Sequence, residues 1–138
     1  MEKNYSSNNL TLIIPTKDRP EKIRDLLDSI AAQSVQCRRI IIVDGGKSIE
    51  QIVLSYKSLP IEYYSCHPPG QIKQRNLAMT KLESEDKLVA FLDDDLVLMP
   101  DAVKYMIEMW NTVEKETAGI SFNIVNNPPF KHNPIKYL

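Results

Sequence analysis

The chain has 138 residues, 43% of them hydrophobic and 25% charged, and a formal net charge of −1. That length and balance fit one globular domain with its own core and exclude a disordered or fibrous chain. The near-neutral charge offers no whole-domain attraction for nucleic acid or anionic lipid, and no apolar run approaches the roughly 20 residues that span a bilayer.

Residues 1–9, MEKNYSSNN, read as a polar arm without the apolar centre of a signal peptide. Leu10 to Pro15 is an almost continuous apolar run, the pattern of a strand buried on both faces. Pro20 suits a first helical position, and Ile23, Leu26, Leu27 and Ile30 recur at helical spacing. Arg39 to Val43 is a second strand ending in Asp44-Gly45-Gly46. Ser48 with Gln51 has the form of a capping box for a helix running to Lys57. A third strand is expected at Ile61 to Ser65, closed by His67-Pro68-Pro69-Gly70, then a helix from Gln71 to Leu82.

Lys87 to Leu92 is a fourth strand with Asp93-Asp94-Asp95 at its carboxyl end. Pro100 and Asp101 start a helix with Val103, Ile107 and Trp110 on one face, and Tyr105, Met106, Met109 and Trp110 read as core. Ala118 to Val125 is expected as a fifth strand, and residues 126–138, rich in Asn and Pro, as an irregular tail. The domain itself is assigned to residues 10–125. Cys37 and Cys66 are far apart, without metal-ligand spacing, and read as reduced thiols in a cytoplasmic protein. His67 and His132 are isolated loop residues with no catalytic role.

Strands alternating with helices predict an α/β fold: a sheet of mostly parallel strands with helices on both faces. Right-handed crossovers restrict its order. If three strands run outward from the first and the fourth pairs on the first strand's other side, the order reverses between strands one and four. Ligands of such sheets bind beyond the carboxyl ends at that reversal. The residues at those ends are Thr16-Lys17-Asp18-Arg19 and Asp93-Asp94-Asp95.

Three adjacent carboxylates repel one another unless a cation is near, and oxygen ligands without Cys or His suit Mg²⁺ or Mn²⁺. Taken alone, the triplet is equally an acidic turn before a helix. Gly46-Lys47-Ser48 resembles the end of a phosphate-binding P-loop, but Ile41 stands where that loop needs glycine. No GxGxxG follows the first strand, which argues against a dinucleotide-binding domain. Asp44 can accept hydrogen bonds from a base or ribose, or cap its own turn. Arg75 offers a planar donor fork to a base, a phosphate or a carboxylate such as Asp44.

Four ordered segments, LTLIIPTKDRP, RIIIVDGG, GQIKQRN and FLDDDLVLMPDAV, resemble the nucleotide-binding segments and DxD motif of family-2 glycosyltransferases. These are inverting enzymes of the Rossmann-like GT-A fold that use nucleotide-diphosphate sugars. The resemblance implies a nucleotide pocket lined by Pro15, Thr16, Asp18 and Arg19, with Asp44 and Arg75 fixing the base. Asp93 would approach ribose or metal, Asp95 would ligate the metal directly, and Asp94 fills the variable middle position. The implied cofactor is divalent Mn or Mg, and the implied partners are a nucleotide-sugar donor and an unknown saccharide or lipid-linked acceptor.

Lys17, Gly45 and Gln74 depart from the family pattern, which commonly has an aromatic residue, a second Asp and a small residue there. Family members continue beyond the length of this chain with the acceptor site and catalytic carboxylate. The chain is therefore expected to be the donor-binding portion of a transferase, inactive or partial by itself. It could reach the inner membrane face only through segments outside it. No general base is nominated, since Asp101 reads as a helix-start residue. Two rival readings are a sugar nucleotidyltransferase, which would need a glycine-rich basic loop after the first strand, and a non-catalytic sugar-nucleotide-binding module.

Overall fold

The computed structural model describes residues 3–125. A short 3-10 turn, Ser7–Asn9, leads into β1 (Leu10–Thr16), followed by α1 (Pro20–Ala31), β2 (Arg39–Asp44), α2 (Glu50–Leu54), β3 (Ile61–Ser65), α3 (Gln71–Met79), β4 (Leu88–Phe91) and α4 (Ala102–Thr112). The strands form one sheet in the order β3-β2-β1-β4, and every pair is parallel. The expected reversal between the first and fourth strands is present.

All seven residues of β1 are buried because the strand has neighbours on both edges and helices on both faces. Its period-two alternation sends Leu10, Leu12 and Ile14 into the larger core with Ile23, Leu26, Leu27 and Ile30 of α1. Val53 of α2 and Val103, Met106 and Ile107 of α4 complete that layer. Ile13 turns to the other face, where Ile41, Val43 and Ala78 of α3 form a smaller core. Each such aliphatic side chain contributes about 1.5–3 kcal/mol on leaving water. Pro20 takes the first position of α1, where its missing N–H costs no hydrogen bond.

Several sequence expectations are corrected. The helix expected from Ser48 to Lys57 spans only Glu50–Leu54, with Ile49 at its N-cap. Ser48 Oγ accepts Glu50 N–H at 3.3 Å and lies 3.3 Å from Tyr63 Oη, whose own proton goes to Asp44. The third helix ends at Met79, and residues to Leu82 continue as turns. Ala118 to Val125 form no strand: their alternating apolar residues have no neighbouring ladder among the described residues, and Phe122, Ile124 and Val125 are exposed. On α4, Met106 is buried and Trp110 packs partly against the core, but Tyr105 and Met109 point to solvent. The readings for residues 126–138, including His132, lie outside the described residues.

The polar arm is tied to α4. Asn111 Oδ1 accepts from Tyr5 N–H at 2.8 Å and its Nδ2 donates to Tyr5 O at 2.9 Å. Both cysteines are free thiols. Burial pushes the Cys37 thiol up to about 12, while Cys66 is half-buried. No helix among the described residues is long and apolar enough to cross a membrane.

The amino ends of the strands carry a charge network. Asp86 is buried and accepts hydrogen bonds from Thr11 Oγ1 (2.5 Å), Arg38 Nε (3.2 Å), Glu83 N–H (2.8 Å) and Arg39 Nη1. Arg39 also holds Glu62 through two bonds of 2.6 and 2.9 Å. Burial pushes the Asp86 carboxyl up. The Thr11 and Glu83 hydrogen bonds and the Arg39 charge outweigh it and hold the group below its usual range. Glu62 is lowered chiefly by its hydrogen bond from Arg39.

Both carboxyls are depressed on folding, so the stability they supply is present above their unfolded values near about 4 and is lost as pH falls through the folded values. Asp86→Ala should destabilise the protein by about 3 kcal/mol in urea denaturation, because it takes a buried charged acceptor from Thr11, Arg38, Arg39 and the Glu83 N–H at once. Asp86→Asn should flatten the acid limb of the urea midpoint measured against pH. An unchanged acid limb would show that the network contributes nothing to stability.

Candidate functional site

At the opposite end of the sheet, β1, β2 and β4 finish beside one another. The parallel register pairs Thr16 with Asp44, and β4 extends past Phe91 through a 2.9 Å hydrogen bond from Leu92 N–H to Ile13 O. The chain then turns at Asp93 to Leu96, closed by Leu96 N–H to Asp93 O at 3.3 Å. Above these ends lies an open cleft of about 420 Å³. Thr16, Lys17 and Arg19 line it from β1 and its loop, Gly70 and Gln74 from the start of α3, and Asp94 from the turn after β4. Pro15 lines its floor.

The three aspartates alternate in exposure. Asp94 is buried, and its two oxygens accept from Thr16 Oγ1 at 2.8 Å and Arg19 Nη1 at 3.0 Å. The middle carboxylate therefore fastens the turn after β4 to the end of β1. Asp93 and Asp95 stand out on either side of it, with side chains 59% and 53% exposed. Arg75 Nη2 donates to Asp93 at 3.0 Å, and Arg19 lies 3.9 Å from Asp95. Arg75 reaches Asp93 rather than Asp44, and its buried Nε has no hydrogen-bond partner.

Asp44 is engaged elsewhere. It accepts from Gly46 N–H at 2.8 Å and from Tyr63 Oη at 2.6 Å. Burial, then the Asp44 carboxylate, pushes the Tyr63 phenol above its ordinary value and keeps it a donor. Sequence reasoning missed Tyr63, since its hydroxyl reaches Asp44 only through the β2–β3 pairing. Asp18 adopts a left-handed backbone, φ 52°, and its Oδ1 accepts Lys47 N–H at 2.9 Å. A Cβ on Gly46 would lie 2.4 Å from that oxygen and 2.7 Å from the Asp18 nitrogen, so glycine is required for the two loops to touch.

Among the described residues no three His, Cys, Asp or Glu side chains converge as a complete cation cage. The two exposed carboxylates fit a hard cation that takes its remaining ligands from phosphate oxygens and water, as Mg²⁺ and Mn²⁺ do. Lys17 and Arg19 line the cleft with Asp94, and the outward carboxylates of Asp93 and Asp95 flank that aspartate in sequence, a set suited to a phosphorylated ligand and its counter-cation.

The sequence model of Glycosyl transferase family 2 matches residues 11–135. The chain is similar to the O-antigen chain rhamnosyltransferase RfbN of Salmonella typhimurium, 27% identical over 100 residues, 71% of this chain and 32% of the relative. It is also similar to the uncharacterized glycosyltransferase YwdF of Bacillus subtilis, 28% identical over 122 residues, 85% of this chain and 45% of the relative. The chain spans less than half the length of either. Among solved structures, S. aureus TarS 1-349 in complex with UDP superposes with a TM-score of 0.62 at 26% identity, over 71% of this chain and 30% of that one.

The alternation of exposure makes a specific expectation. Asp94→Ala should destabilise the fold by about 2 kcal/mol, because Thr16 and Arg19 lose a buried charged acceptor. Asp93→Ala and Asp95→Ala, at exposed positions, should change stability by about 0.5 kcal/mol or less. Urea denaturation of the three variants checks this, and equal losses would remove the distinction.

Proposed function

The chain belongs to glycosyl transferase family 2, and on that premise we propose that its cleft binds a nucleoside-diphosphate sugar with Mg²⁺ or Mn²⁺ for transfer to an acceptor hydroxyl. The observation that carries this reading is the meeting of the Thr16–Arg19 loop with Asp93, Asp94 and Asp95 where the strand order reverses. The same fold in TarS holds UDP. The acceptor is taken to be a saccharide or a lipid-linked molecule.

In this reading the residues divide the work. Pro15 and Thr16 form the floor under the nucleotide, while Lys17 and Arg19 face the diphosphate. Asp18 shapes that loop through Lys47 and approaches the nucleotide only by way of it. Asp44, oriented by Tyr63, and Arg75 address the base and ribose. Asp93 and Asp95 would hold the cation, with Asp94 keeping both carboxylates at the end of β1. When bound, the cation supplies neutralisation of charge on the departing diphosphate.

The reaction forms a bond from the acceptor oxygen to the anomeric carbon and breaks the bond from that carbon to the diphosphate. The acceptor's proton passes to a general base. No described residue is assigned that role. Arg19, 3.0 Å from Asp94, is placed to turn toward the diphosphate as negative charge develops there.

Titration calorimetry with uridine and guanosine diphosphates, each with Mn²⁺ and in chelator, tests the reading. We expect one nucleotide to bind with metal and to bind at least tenfold more weakly in chelator, a difference of about 1.4 kcal/mol. Asp95→Asn should remove most of that difference, since it deletes a charged oxygen ligand. Equal binding with and without metal would count against a bridging cation, and binding of neither nucleotide against the donor site itself.

A further inference from the structure

Gln74 is an unusual side chain for its location. It sits in the first turns of α3, is 4% exposed, and reaches into the gap where β1 and β2 stop pairing. Its Nε2 donates both protons, to Thr16 O and to Val43 O, each at 2.8 Å. Its Oε1 accepts Gly70 N–H at 3.3 Å. The amide cannot turn over, because the reversed orientation would set its oxygen against two carbonyls. One carboxamide therefore links the ends of two strands to the turn that opens α3.

That link runs on into the cleft. Thr16, whose carbonyl Gln74 holds, donates its hydroxyl to Asp94, and Asp94 holds Arg19. Gly45 faces the same carboxamide. A Cβ at Gly45 would lie 2.7 Å from Gln74 Oε1 and 2.8 Å from Pro69 Cβ, closer than real side-chain contacts allow. The chain at Gly45 is also fixed by its own N–H, which donates to Thr16 O at 2.9 Å. Gln74 and Pro69 in these positions together require a residue without a side chain at 45. The two are a matched pair.

We propose that Gln74 is a positioning residue for the nucleotide, setting the height of the cleft floor by tying Thr16, Val43 and Gly70 together, and that Gly45 is the partner that gives it room. The proposal rests on the donor-binding reading of the cleft. Gln74 need not touch the ligand; it determines where Thr16 and the Pro69–Gly70 turn stand when the ligand arrives. The hydrogen bonds rather than the bulk carry the effect.

Gln74→Met keeps the length of the side chain and deletes both donors. It should weaken binding of whichever nucleoside diphosphate the unaltered chain binds with Mn²⁺ by roughly tenfold, as two lost hydrogen bonds would. Parent-like affinity in Gln74→Met would show that only volume matters and would overturn the proposal. Gly45→Ala should weaken binding strongly in the Gln74 background and several-fold less beside Gln74→Ala, a coupling that a double-mutant cycle reads directly. Additive losses would dissolve the pair.

Hydrogen exchange separates this proposal from the function it rests on. The Gly45 and Gly70 amides should exchange faster in Gln74→Met while the centre of β1 stays protected. Unchanged protection at both glycines overturns the positioning role whether or not nucleotide binds. Failure of the unaltered chain to bind either nucleotide, with both amides deprotected in the variant, overturns the donor reading and leaves Gln74 as a strut of the sheet alone.

Discussion

The pairing of β4 with the free edge of β1, Leu10 against Leu88 through Ile13 against Phe91, is the constraint from which the carboxyl edge of the sheet follows. With three strands stepping outward in one direction, a fourth on the other side leaves a crevice that no crossover helix fills. The register then decides which residues border it. Because the ladder continues to Leu92, the Asp93–Leu96 turn rises beside Thr16 rather than a residue earlier or later. A slip of one residue would turn the side chains of β4 to the opposite face and carry Asp94 away from Thr16.

Charge is distributed unevenly along that axis. At the amino ends of the strands, Asp86, Arg39, Glu62 and Arg38 satisfy one another within a buried network. At the carboxyl ends Asp44 and Asp94 are buried and engaged, while Asp93 and Asp95 each meet an arginine whose side chain is itself partly exposed. A buried charge network with every partner in place rigidifies, whereas exposed pairs are weak and exchangeable. One end of the sheet holds the fold and the other leaves its ionic contacts exposed.

The parts of this architecture legible in the sequence are those written as uninterrupted patterns. The Leu10–Pro15 and Arg39–Val43 runs identify strands buried on both faces, and crossover handedness supplies their order without any contact information. The helix of Pro20 to Ile30 is equally plain from its apolar spacing. Other features depend on long-range geometry. Gln74 reads as an ordinary polar residue on an amphipathic helix, and only the folded chain shows two carbonyls waiting for its protons. Tyr63 reads as strand filler until pairing places it under Asp44. Ile120, Phe122 and Ile124 alternate as a strand would, yet alternation cannot supply the neighbouring edge that a strand needs. The middle aspartate, variable by resemblance, is the buried one because Thr16 and Arg19 hold it against the end of β1, a contact that only the folded chain supplies.

The two thiols differ in a way that makes the protein chemically addressable. Thiolate is the species that alkylating reagents attack, and burial leaves Cys37 almost wholly protonated at neutral pH. Cys66 is half-buried, directly after β3, and its backbone N–H donates to Asp44 O at 2.8 Å, at the carboxyl end of β2. A fluorophore attached through maleimide chemistry would therefore settle at one position without any cysteine being engineered out. Its emission would report on the surroundings of Asp44 as the cleft fills and empties.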